Sequence, residues 1–157
     1  MKYSEAKQGR TFIIRLESGE VLHEQIEQVA REQSIRAAAL ILVGGVDHGS
    51  TLIVGPQHGD RLPTPVIEHV LSAEHEITGT GTVFWDQERN APTAHIHIAC
   101  GREGQTITGC IRRGVKVWLT MEVVVFELVD TTAARVKDPQ SGHSLLEPIP
   151  KAPYPTP

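Results

Sequence analysis

Apolar side chains recur at every second position through most of this chain, and at helical spacing in only one stretch. Residues 11–16 are apolar or β-branched, with Gly9 before them and Ser18-Gly19 after, which predicts a strand. The period then changes. Leu22, Ile26, Val29 and Ala30 follow helical spacing while Glu24, Gln25, Glu27, Gln28, Arg31 and Glu32 fall mostly opposite, so an amphipathic helix is expected over 20–33. Its acidic first turn suits the helix dipole. Residues 37–43 form a continuous apolar run, read as a buried strand, and 46–50 turn it into a second strand at 51–54. Prolines and glycines over 55–64 predict a loop. Strands are expected over 66–78 and 80–85, broken by Gly79 and Gly81, either of which suits a bulge, and after a turn at 86–92, over 93–100 and 106–113.

The longest β-rich segment is 115–129. Val117, Leu119, Met121, Val123 and Val125 share one face, and Trp118, Thr120, Glu122, Val124 and Phe126 share the other. Both faces are apolar enough to need cover. After Val129 the pattern decays, and the proline-rich end from Glu147 is expected to run extended without packing of its own. One helix and about eight strands joined mostly by short turns imply an α+β fold of largely antiparallel sheets. A chain of 157 residues suits one compact domain. Since a single helix covers one face only, the other is expected to pack against a second sheet or another subunit.

The segment around residues 95–97 carries the chemistry. Alternation places His95, His97 and Ala99 on one face of a strand and Ala94, Ile96, Ile98 and Cys100 on the core face. If Glu103-Gly104 are the central residues of a hairpin loop, opposed residues have numbers summing to 207, so Ile96 faces Ile111, Cys100 faces Ile107 and His97 faces Cys110. Opposed Cβ atoms stand about 4.5–5.5 Å apart, within reach of a shared ion with bonds of about 2.0–2.3 Å. Slipping the register by one residue would turn Cys110 to the wrong face; slipping it by two would set it opposite His95. The two registers that keep Cys110 on the polar face therefore both bring His95, His97 and Cys110 together. Three such donors leave a further position for water or substrate, and two imidazoles with a thiolate suit zinc best among divalent ions, with iron, nickel or copper also compatible. The competing reading is an exposed polar face beside a small buried cysteine.

Charge narrows the partners. The net charge is −4, the opposite of the basic footprint expected of a protein that neutralises many phosphates. Arg112-Arg113-Gly114-Val115-Lys116 is one short basic cluster. No apolar run approaches a membrane span, Met1 leads into polar sequence, and the two cysteines, Cys100 and Cys110, lie on opposite faces of one hairpin. A cytoplasmic protein without a disulfide is the expectation.

Gly9-Arg10-Thr11-Phe12, Leu42-Val43-Gly44-Gly45-Val46, His95-Ile96-His97, Thr108-Gly109-Cys110 and the stretch 117–128 with Glu122 inside it occur in an order that resembles the PPC domain (plants and prokaryotes conserved). The resemblance spans roughly residues 9–145, leaving an N-terminal extension at 1–8 and a proline-rich tail at 146–157. It implies an antiparallel α+β subunit that assembles as a homotrimer, with metal on the histidines where metal is found. Cys110 stands where the family carries a third histidine. The fold is also similar to that of acetolactate decarboxylase and of a zinc-dependent ester hydrolase, which is an analogy at the level of a site. Plant relatives contact DNA through a separate Arg-Gly-Arg-Pro segment that this sequence lacks.

The leading expectation is a homotrimeric domain holding a divalent metal, most simply zinc, on His95, His97 and Cys110, with metal-dependent chemistry on a small-molecule ligand as its use. Glu122 is the candidate acid or base, weighed against a structural ion pair with Arg112 or Arg113. A DNA-binding or transcription-associated protein, and an interaction trimer without catalysis, are the alternatives. His48, beside Asp47 in a glycine-rich turn, is a secondary candidate for completing the site; His23, His58, His69, His75 and His143 are read as exposed or structurally bonded.

Overall fold

The period change after residue 19 does produce a helix. In the computed structural model, which describes residues 1–60, 62 and 64–148, α1 (Leu22–Glu32) buries Leu22, Ile26 and Ala30 and keeps Glu24 at its first turn and Arg31 at its last. Around it run β1 (Lys7–Glu17), β2 (Ala37–Val46), β3 (Thr51–Pro56), β4 (Val66–Val70), β5 (His75–Asp86), β6 (Ala91–Arg102), β7 (Gln105–Cys110), β8 (Val117–Val129), β9 (Ala134–Lys137) and β10 (Ser144–Glu147). The strands form one sheet in the order β1-β8-β2-β5-β6-β7-β3-β4, with the β9–β10 hairpin attached at the end of β5. Every pairing is antiparallel except a single parallel bridge between Asp86 and Arg135. The fold is α+β and mostly antiparallel.

The core lies between α1 and one face of the sheet, where Leu22, Ile26 and Ala30 meet Leu40, Leu42, Ile96, Ile98, Met121, Val123 and Val125. The opposite face is open. Ile13 is 78% exposed, Ile41 50% and Val43 52%, and among the described residues no second sheet covers them.

Several local expectations change. β5 runs unbroken through Gly79 and Gly81, and the interruption falls at 71–74 instead. These glycines do not bulge: they let β5 approach β6, since a Cβ at Gly81 would stand 2.5 Å from Ile96 Cγ1 and 2.7 Å from the His95 carbonyl oxygen. In β8 the alternation slips at Leu119, which has φ +61° and is 67% exposed, opposite the register shift in β2 between Gly44 and Gly45. Leu119 therefore leaves the core face to which simple alternation assigned it. The chain after Val129 stays ordered: β9 and β10 form a hairpin, with Ala134 and Arg135 buried. The expected extended tail lies, from 149 onward, outside the described residues, while Glu147 belongs to β10 and pairs with Lys2 at 2.8 Å.

Candidate functional site

The β6–β7 hairpin sets the geometry. Glu103 (φ +51°) and Gly104 (φ +77°) both adopt left-handed conformations, as a two-residue type I′ turn requires. The pairing that follows is Arg102 with Gln105, Cys100 with Ile107 and His97 with Cys110, the register whose numbers sum to 207. Cys100 is wholly buried on the core face, whereas His95, His97 and Cys110 share the opposite one.

On that face the donors converge. One ligand atom from each of His95, His97 and Cys110 lies within 4.8 Å of the other two. The two Nε2 atoms are 3.2 Å apart, with ring centroids at 5.0 Å and planes inclined by 68°. Two donors on one tetrahedral ion, with bonds of about 2.0–2.3 Å, stand roughly 3.3–3.8 Å apart, so small side-chain movements suffice to bring all three onto a cation. Burial, together with the positive charges of Arg112, Arg135 and His97, pushes His95 down to about 4. Its imidazole is therefore neutral near pH 7, the form that donates to metals.

Two arginines flank the donors. Arg112 follows Cys110 by two residues, and its Nε–H donates to Cys110 Sγ at 3.3 Å. Arg135 comes from β9, is 6% exposed, and donates from Nη2 to Thr82 Oγ1 at 3.2 Å and from Nε to the Thr93 carbonyl at 3.5 Å. Burial and the like charge of Arg112 push Arg135 below its ordinary value, more than Asp86 and Cys110 draw it back. It nonetheless remains a cation. His95, Cys110, Arg112 and Arg135 line a cleft of about 900 Å³ walled by α1 and the β9–β10 hairpin, and a second hollow of about 360 Å³ adjoins His97, Cys110 and Arg112 on the side of β3. His143, in the β9–β10 turn, lines both.

The remaining candidates lie elsewhere. Glu122 is exposed on β8, opposite Arg15 and Val43, with β2 and β5 between it and β6. Three strand spacings separate it from β6 by about 14 Å across the sheet, further still from Cys110 on β7, and the structure does not bring it to the donors within one chain. Neither anticipated arginine is its partner: Arg112 meets Cys110, and Arg113 pairs with Glu68 at 2.7 Å. His48 pairs with Asp47 at 2.8 Å and Glu74 at 3.3 Å, which raise its pKa with the Asp47 hydrogen bond foremost, and it lines neither hollow. Sequence reasoning missed Arg135 altogether. The one signal was the short alternation Ala134-Arg135-Val136, too brief to stand out beyond a decaying pattern.

The Plants and Prokaryotes Conserved (PCC) domain matches residues 3–129. The chain belongs to this family. Among solved structures, the PCC chain is similar to a metal-containing protein from Archaeoglobus fulgidus, with a TM-score of 0.78 and 27% identity over 92% of this chain and 98% of that one. A candidate DNA-binding protein from Ralstonia eutropha JMP134 shares the fold, with a TM-score of 0.68 and 20% identity over 85% of this chain and 88% of the other. A curated relative, the bifunctional protein GlmU of Synechococcus sp. (strain JA-2-3B'a(2-13)), is 28% identical over 145 residues. That match takes in 91% of the PCC chain but only 21% of the relative, so this chain spans about a fifth of its length. Among the described residues no helix is long and apolar enough to cross a membrane.

Proposed function

We propose that this PCC domain binds one divalent cation, zinc by its donor set, on His95, His97 and Cys110, and that the cation serves chemistry on a small molecule in the adjoining cleft. The observation that carries this reading is the convergence of the three donors within 4.8 Å, supported by the neutral state of His95. The Archaeoglobus fulgidus neighbour, named for its metal, lends support. A divalent cation held there supplies Lewis-acid chemistry. The chain's own residues would orient the ligand and shield it, with α1 and the β9–β10 hairpin walling the cleft.

The same reading includes a homotrimer. The site and the uncovered apolar face lie on one side of the sheet, joined by the row Ile13, Val124, Ile41, Thr80, His97 and Cys110. Closed cyclic symmetry would bury that face. Glu122 acts as an acid or base in this reading only across a subunit boundary.

The test is metal analysis of protein purified without a His tag, before and after incubation with zinc, iron, nickel or cobalt. About one equivalent per subunit is expected, lost at low pH and in the His95→Ala/His97→Ala variant. Protein that stays metal-free under all these conditions would sink the reading.

A DNA-binding role has the Ralstonia neighbour's name in its favour. The charges oppose it. With a net charge of −4 and Arg113 held on Glu68, the one basic cluster of the sequence offers too few cations to track the backbone of a nucleic acid. A titration with random and genomic fragments near physiological salt is expected to give dissociation constants no tighter than the ~10⁻⁴–10⁻⁶ M of non-specific complexes.

A further inference from the structure

We propose that the cleft beside His95 recognises a small organic acid, whose carboxylate or phosphate group is held by Arg135 and Arg112. Arg135 supplies the first argument. It is 6% exposed, yet among the described residues its hydrogen-bond partners are two neutral oxygens, the Thr82 hydroxyl and the Thr93 carbonyl. A buried guanidinium ordinarily carries a carboxylate partner in direct contact; among the described residues none lies within salt-bridge distance of either Arg135 or Arg112, and Asp86, on the adjoining strand, attracts Arg135 only from further off. The carboxylates that do line the cleft are engaged or solvated. Asp86 accepts the N–H groups of Glu88 and Arg89 at 3.0 Å each, Glu27 accepts the Ala94 N–H at 2.9 Å, and Glu24 stands exposed on α1.

Orphaned polar atoms supply the second. Among the described residues nothing hydrogen-bonds to the buried His23 Nδ1 or Thr93 Oγ1, and both residues line this same cleft. Buried polar groups in native proteins are satisfied by protein, water or ligand, so two such atoms in one cavity call for a polar occupant there. The volume of about 900 Å³ is in the range of small-molecule sites. Planar guanidinium forks match carboxylate and phosphate oxygens, which sets the ligand's class. A duplex is a poor fit, because Arg135 is 6% exposed in a cleft wall and not displayed along an open basic surface.

The third argument is charge balance, and it alone rests on the metal reading. A divalent cation, two guanidinium groups and one thiolate leave the centre strongly positive, with no carboxylate among the donors. An anionic ligand would neutralise it.

Calorimetric titration with inorganic phosphate and with malonate tests this in low-chloride buffer, on zinc-loaded and chelator-stripped protein, with metal content measured in parallel. At least one anion is expected to bind, and Arg112→Gln and Arg135→Gln are each expected to weaken it by about 10- to 100-fold. Selectivity for malonate or phosphate identifies the acid group. Should Arg135→Gln not fold, the exposed Arg112→Gln variant still decides. Arginine-dependent anion binding in protein that never takes up metal would uphold this inference while removing the metal reading. Failure of both anions to bind in either metal state, equal affinity in the wild type and the folded variants, or displacement of the bound anion by a random duplex would overturn it.

Discussion

His95 owes its protonation state to neighbours that arrive from elsewhere in the chain. Its pKa of about 4 follows from burial first and then from Arg112, Arg135 and His97. The pH consequence has a definite sign. Because the unfolded chain titrates this group at its ordinary 6.5, lowering the pH through the interval from 6.5 down to 4 protonates the unfolded state before the native one, and stability falls. Denaturant titrations of stripped protein are expected to show that decline, and His95→Gln should flatten it between those limits. A second residue-scale prediction concerns Gly81. Since a Cβ there meets Ile96 Cγ1 and the His95 carbonyl at 2.5 and 2.7 Å, Gly81→Ala is expected to cost about 1–3 kcal/mol by overpacking. It should also weaken metal uptake, because the strand that must shift carries both histidines.

At the scale of elements, the β6–β7 hairpin decides which side chains can meet. Its two-residue turn puts Cys110 opposite His97, and strand periodicity makes that outcome all or none. Inserting one glycine between Glu103 and Gly104 should turn Cys110 toward the core face or unpair the hairpin, abolishing metal binding while the separate β1–β8 and β2–β8 pairings persist. Metal analysis together with circular dichroism checks it; undiminished metal binding would count against the register as the source of the site. Glu103 sits at φ +51°, a conformation asparagine tolerates better, so Glu103→Asn is expected to stabilise by roughly 0.5 kcal/mol. The β9–β10 hairpin plays a different part: it pairs with β5 only at Asp86 and Arg135, yet brings Arg135 and His143 to the cleft.

At the scale of the whole molecule, the sheet has one face under α1 and one face that no other described element covers. Ile13 on the edge strand β1 and Ile41 on β2 stand on the uncovered face at 78% and 50% exposure, and Ile41→Glu is expected to shift the proposed trimer to monomer in light scattering while leaving the helix-side core intact. A wild-type monomer at micromolar concentration would contradict the assembly. Much of this architecture is legible in the order of residues. The helix, most of the strands, the turn at Glu103-Gly104, the core position of Cys100 and the meeting of His97 with Cys110 all follow from periods and turn chemistry acting over a few residues. The roles of Gly79, Gly81 and Leu119 depend on a neighbouring strand: alternation alone cannot tell a bulge from a close approach, or locate a slip set by β2. The separation of Glu122 from the donors, and the arrival of Arg135 beside them, are decided by strand order and by a hairpin packed far along the chain. Local physics chooses the element and the face of each residue; which distant faces then share a cleft is settled only when the sheet assembles.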